Sequence, residues 1–265
     1  MKYLNYLILL LYSFLANAQT NSSPRFTALG STGVALQDVW SMQYNQAGIA
    51  GLTKSVASAS FERVFAGVEL SNQSAVAVIP FKQNVFGVSF YNYGFSAYNE
   101  QKIGLAYAKK FGDKLFAALN FNFHQLKISQ YGIAQTFSAE GGIQFKPGEK
   151  LCLGAHISNP SQSGYNKEAS ASIPVNIEFG ASFILSSKLL LNTGFITVLN
   201  SAADARAGLE YAVLDWFALR GGLSVNPGKQ YLGFGLNYQK LHFDFAASSH
   251  QSLGYTPQVA LAYEF

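Results

Sequence analysis

From Ser55 to Phe265 the chain alternates between a greasy face and a face of small or amide side chains, and this two-residue period most constrains its fold. In one run Leu115, Ala117, Leu119, Phe121 and Phe123 fall on one side, and Phe116, Ala118, Asn120, Asn122 and His124 on the other. The same division separates Val175, Ile177, Phe179, Ala181 and Phe183 from Asn176, Glu178, Gly180 and Ser182. It separates Leu232, Phe234 and Leu236 from Gly233, Gly235 and Asn237, and Leu241, Phe243 and Phe245 from His242, Asp244 and Ala246. A strand points successive side chains to opposite faces, so each run predicts a strand between two unlike environments.

A water-soluble sandwich also alternates, and composition separates the two cases. Charged residues make up 12% of the chain, against roughly 25% in an ordinary soluble domain. The 22 Phe, 15 Tyr and 24 Gly take their place. The exposed face of a sandwich would carry Lys, Glu and Thr; here the non-greasy face is Gly, Ala, Ser and Asn, which suits a lumen. Turn signals divide residues 55–265 into about fourteen strands, beginning 55–65, 73–80 and 84–95 and ending 230–239, 241–248 and 257–265. Most reach the roughly 9–11 residues that a tilted strand needs to cross a bilayer. The prediction is an all-β, transmembrane antiparallel β-barrel with short connections, the longest being Ser158 to Ser172 and Ser248 to Pro257.

Residues 1–18 read as a signal peptide: Lys2, an apolar run from Leu7 to Leu15, then the small-x-small triplet Ala16-Asn17-Ala18. The apolar run is about a dozen residues, short of the roughly 20 of a spanning helix, which sets cleavage before Gln19 above an uncleaved anchor. The expected location is the outer membrane of a Gram-negative bacterium, crossed many times. Val259, Leu261, Tyr263 and Phe265 share one face of the last strand. Leu261, Tyr263 and the terminal Phe265 resemble the signal read by the barrel insertion machinery.

Residues 19–54 do not alternate, and their small residues suit a segment folded inside a lumen as a plug, or hatch, of the barrel formed by residues 55–265. Within it stand Leu29-Gly30, Val34-Ala35-Leu36-Gln37-Asp38 and Asn45-Gln46-Ala47-Gly48-Ile49-Ala50. This pattern resembles the start of the FadL-like outer-membrane proteins, most closely the PorV/PorQ branch of type IX secretion, with Gln46 in the place of that pattern's proline. The resemblance implies a plug motif carried by Gly30, Asp38, Asn45, Ala47 and Gly48. Asn45 and Asp38 are expected to bond inward strand residues such as Arg206, Arg220 or Glu210.

The stretch from Asp204 to Tyr211 followed by Asp215 to Gly222 resembles a "GLEY…LALRGG" hairpin of the same family. Arg206, Glu210 and Arg220 share its inward face, with Glu210 close to Arg220. They read either as an ion-pair network that stiffens the barrel and anchors the plug, or as a site for an anionic head group.

Other chemistry is excluded. The single Cys152 rules out a disulfide framework and reads as an inward filler between Leu151 and Leu153. His124, His156, His242 and His250 stand apart without metal-ligand spacing. His242 lacks a visible nucleophile and orienting carboxylate. The stretch from Gly222 to Lys229 imitates a phosphate loop, but has one residue too many and Gln230 where Ser or Thr belongs. No cofactor, no metal and no enzymatic activity are predicted, and a net charge of +4 spread along the chain does not suit nucleic acid.

Two functions remain. One is a docking or scaffold barrel of type IX secretion, with secretion-system proteins or secreted cargo as partners. The other is a channel for hydrophobic small molecules, which would leave a plugged lumen through a gap in the wall into outer-membrane lipid. The inward faces, mostly Gly, Ala, Ser and Asn, favour the first.

Overall fold

The computed structural model describes residues 23–64, 69–165, 173–250 and 254–265; the signal peptide expected over 1–18 lies outside the described residues. Fourteen strands follow one another in the chain: β1 (Val56–Arg63), β2 (Ser71–Phe81), β3 (Asn84–Phe95), β4 (Tyr98–Phe111), β5 (Leu115–Ile128), β6 (Gly132–Phe145) and β7 (Leu151–Ser158). They continue as β8 (Asn176–Ser186), β9 (Leu189–Val198), β10 (Asp204–Leu214), β11 (Phe217–Val225), β12 (Gly228–Tyr238), β13 (Leu241–His250) and β14 (Gly254–Glu264). Each pairs antiparallel with its neighbour in sequence, and β1 closes on β14 through pairs such as Ala59 with Leu261 and Phe61 with Val259. Closure leaves no free sheet edge, the condition for backbone polar groups to sit in lipid. No helix among the described residues is long and apolar enough to cross a membrane.

The two faces separate as the alternation predicts. On β5, Phe121 points outward and is 65% exposed, whereas the adjacent Asn120 points inward and is 1% exposed. The outer wall carries Ile79, Phe86, Leu105, Leu119, Leu232 and Leu261 in the same way. Cys152 is buried, as its position between Leu151 and Leu153 predicts. One expected connection is partly strand: β13 and β14 stay paired through Ser248–Thr256, Ser249–Tyr255 and His250–Gly254, so residues 248–250 and 254–256 are ladder rather than loop. Ladder bonds come from the backbone and do not depend on the polar side chains that signalled a loop.

Residues 23–54 lie within the barrel. They form a short helix, α1 (Pro24–Ala28), and two short runs of 3₁₀ turn, Val39–Gln43 and Gln46–Gly51. Ser23 caps α1 by accepting from the Phe26 amide, with Pro24 at the first helical position, where its missing N–H costs nothing. Asp38 and Asn45 cap the two 3₁₀ turns, accepting from the Trp40 and Ala47 amides at 3.0 and 3.2 Å. Phe26, Leu29, Trp40, Met42 and Ile49 of this segment are buried against inward Val76, Val78, Val85, Ala106, Ala108 and Phe116. Each such side chain contributes about 2 kcal/mol by leaving water.

Candidate functional site: the lumen and its plug

Charge fixes one side of residues 23–54 against the wall. Arg25 on α1 donates from Nε and Nη2 to the two oxygens of Glu210 on β10, at 2.9 and 2.8 Å, and from Nη1 to Asp38 at 2.8 Å. Arg220 on β11, the direct cross-strand partner of Glu210, donates to the same carboxylate at 2.6 Å and also to Asp244 on β13. Burial opposes the charge of Arg25, but Glu210 and Asp38 more than offset it, and its guanidinium is held further from deprotonation than usual. The fork of Arg suits such a shared, bidentate arrangement.

Amide groups fix the other side. The Asn45 Nδ2 donates to the Val34 carbonyl at 2.6 Å within the plug and to the Ile143 and Ala155 carbonyls of β6 and β7 at 3.2 and 3.4 Å. Gln144 on β6 returns the contact, donating to the Val34 and Leu36 carbonyls at 3.0 and 2.9 Å. Gln46 donates at 2.6 Å to Glu140, which also accepts from Asn122 at 2.7 Å and faces Lys102 and His156 at 3.6 and 3.5 Å. A buried carboxylate is tolerable only with such a set of donors and cations around it.

Backbone meets backbone where glycine allows it. A Cβ on Gly208 of β10 would run into the Leu29 carbonyl, and one on Gly222 of β11 into the Gly30 amide. Gly30 itself has φ +76°, and a Cβ there would stand 2.6 Å from the Ala207 carbonyl. These three glycines let the turn after α1 press directly on the wall.

The motif residues therefore sit as follows. Gly30 touches β10 and β11, Asp38 caps the first 3₁₀ turn, Asn45 caps the second, and Ala47 and Gly48 are buried inside that turn. Asn45 and Asp38 do not bond Arg206, Arg220 or Glu210, contrary to expectation. Asn45 reaches strand carbonyls instead, and Asp38 is engaged by Arg25, which stands between it and Glu210. Arg206 keeps apart from the Glu210 cluster, paired with Asp204 at 2.6 Å and donating to the Ser31 carbonyl at 3.2 Å. Leu261, Tyr263 and Phe265 all face outward at the closing strand. Sequence reasoning missed Arg25 and Glu140. Arg25 is the one arginine of residues 19–54, whose other cation is Lys54 at the edge of the segment, and Glu140 is the lone carboxylate of its inward face, beside Ser138, Gly142 and Gln144.

No protein-family model and no curated protein matches the sequence. Solved structures do match. The Ralstonia pickettii toluene transporter TbuX aligns with a TM-score of 0.73 at 12% identity, over 92% of this chain and 98% of that one. The chain has the fold of the FadL-type transporters. A Pseudomonas aeruginosa FadL homologue aligns at 0.67 and 12% identity, over 93% and 98% of the two chains. The monoaromatic hydrocarbon channel CymD aligns at 0.69 and 10%, over 92% and 98%. At such identities the FadL-type likeness is one of fold.

Proposed function

We propose that this protein is a non-enzymatic outer-membrane channel for hydrophobic small molecules, with residues 19–54 as its plug. The observation that carries this reading is the contact between residues 23–54 and the wall. Phe26, Trp40, Met42 and Ile49 pack with inward Val76, Val78 and Phe116 into a closed apolar core, so a path opened there by displacing the segment would be walled by apolar side chains that suit hydrophobic solutes better than ions. The transporters that share the fold, named for toluene and monoaromatic hydrocarbons, support the same class of solute.

Of the two functions drawn from the sequence, the channel now stands ahead of the docking barrel. The PorV/PorQ resemblance supports a plugged barrel as such. A docking role would gain from long loops to hold cargo, and most connections at the end opposite the chain termini are short, such as those between Phe95 and Tyr98 and between Val225 and Gly228.

The test is uptake. Expressed in the outer membrane of a Gram-negative host, the protein should raise the initial uptake rate of toluene several-fold while leaving the permeation of a water-soluble sugar unchanged. Unchanged uptake of both toluene and a long-chain fatty acid would remove the channel reading.

A further inference from the structure

We propose that an anionic phospholipid seats on the outer wall, with an acyl chain in a hollow that crosses β4 to β8 and its phosphate on Lys109. The hollow has a volume of about 630 Å³. It exists because Ala117, Gly141 and Ala155, three small residues of outward parity on successive strands, make its floor, while Tyr107, Phe111 and Phe179 stand around it. Five strands at about 4.8 Å spacing give it a length of about 19 Å, on the scale of an extended acyl chain. Strands in such barrels tilt by about 40°, so a hollow running across them slants from the rim towards the mid-plane, as a lipid tail would.

Lys109 lines the rim end of the hollow, two residues before β4 ends, with its amine 5.3 Å from the Phe111 ring. Among the described residues no carboxylate lies within 4.0 Å of that amine. Lys82 and Lys240 stand in the same way over outward Phe81 and Tyr263, both at 5.8 Å, on the same end of the barrel. That end, which carries the tight turns and both termini of the barrel, has nine lysines between Lys54 and Lys240 against four acidic side chains, Asp113, Glu149, Asp215 and Glu264. Its field is therefore positive. Lipid hydrocarbon gains little by exchanging one apolar surface for another, so the hollow selects a shape and not a lipid class. Selection of an anionic head group falls to the lysine, whose amine an aromatic neighbour holds at the boundary of the apolar band. The inference is independent of what passes through the lumen.

The experiment uses the full chain reconstituted in bilayer discs of phosphatidylcholine and phosphatidylglycerol, then released into mild detergent for native mass spectrometry of the retained lipid. The wild-type barrel should retain phosphatidylglycerol over phosphatidylcholine by about fivefold, the preference expected from one lysine at an anionic surface. Lys109→Gln should abolish the preference while total lipid stays the same. Gly141→Phe should lower retention of both lipids, since a Cβ at Gly141 meets only the Leu119 side chain, at 3.8 Å, and the new ring fills the hollow without touching the plug. Heat-modifiable gel migration reports that each variant is folded, and either variant alone decides its half. Equal retention of the two lipids by the wild type, or a preference that survives Lys109→Gln, overturns the head-group assignment; retention that survives Gly141→Phe overturns the seat.

Discussion

Arg25 and Glu210, 185 residues apart in sequence, form a two-pronged ion pair that ties helix α1 to strand β10 of the wall. Both side chains are mostly shielded, at 23% and 15% exposure. Truncating Arg25 leaves Glu210 with Arg220 as its remaining cation and takes from Asp38 the guanidinium that pairs with it. Arg25→Ala is expected to weaken plug seating by about 2 kcal/mol, below the 3–5 of a fully buried pair because water still reaches the site. The check is planar-bilayer recording: brief conducting openings should appear in Arg25→Ala and be rare in wild type, and identical traces would refute the latch.

Removing the segment altogether is the stronger version of the same argument. Deletion of residues 25–50 takes away the buried plug face and both sets of anchors, and should raise single-channel conductance from near zero to that of an open pore. A deletion variant that stays closed, or a wild type that conducts like a porin, would show that this segment does not block the lumen.

Two adjacent glycines on β6 should behave in opposite ways. A Cβ on Gly142 would collide with the Asn45 side-chain oxygen, while one on Gly141 faces outward into open space near Leu119. Gly142→Ala should therefore displace Asn45 and increase channel opening, and Gly141→Ala should leave both conductance and thermal stability at wild-type values. Equal behaviour of the pair would contradict the inward seating of Asn45.

Glu140 accepts from Gln46 and Asn122, both donors, and faces Lys102 and His156. Glu140→Gln replaces one acceptor oxygen with a donor, so two N–H groups meet head-on in a buried site. A loss of about 1–3 kcal/mol is expected. The temperature at which the folded band converts to the unfolded one on gels should fall, and an unchanged transition would argue that water or another group takes over the role.

Phe265 lies outward beside Tyr263, their ring centroids 5.1 Å apart, at the end of the closing strand. If it serves insertion, its deletion should lower the amount of assembled barrel while the amount exported to the periplasm is unchanged. Pulse-chase analysis separates the two steps, and normal assembly would count against that role.

The barrel was legible in the sequence because its determinants are local. Strand number and the assignment of Phe121 outward and Asn120 inward follow from a two-residue period that any single strand displays, whatever its neighbours. The nature of the two environments followed from the residue types on each face. Contacts across the lumen were not legible in this way. The plug has no period, and its partners are set by how the barrel closes: Arg25 meets Glu210 across 185 positions, and Gln46 meets Glu140 across 94. Glu210 and Arg220 lie on adjacent strands of one hairpin, close enough in sequence for register alone to bring them together. Asn45 and Asp38 stood out by motif, yet whether they bond a strand carbonyl, a side chain or each other's segment depends on the path of a chain with no repeating geometry. Side-chain direction along a strand is a property of the backbone itself, whereas the pairing of an aperiodic segment with a wall exists only once the wall has closed around it.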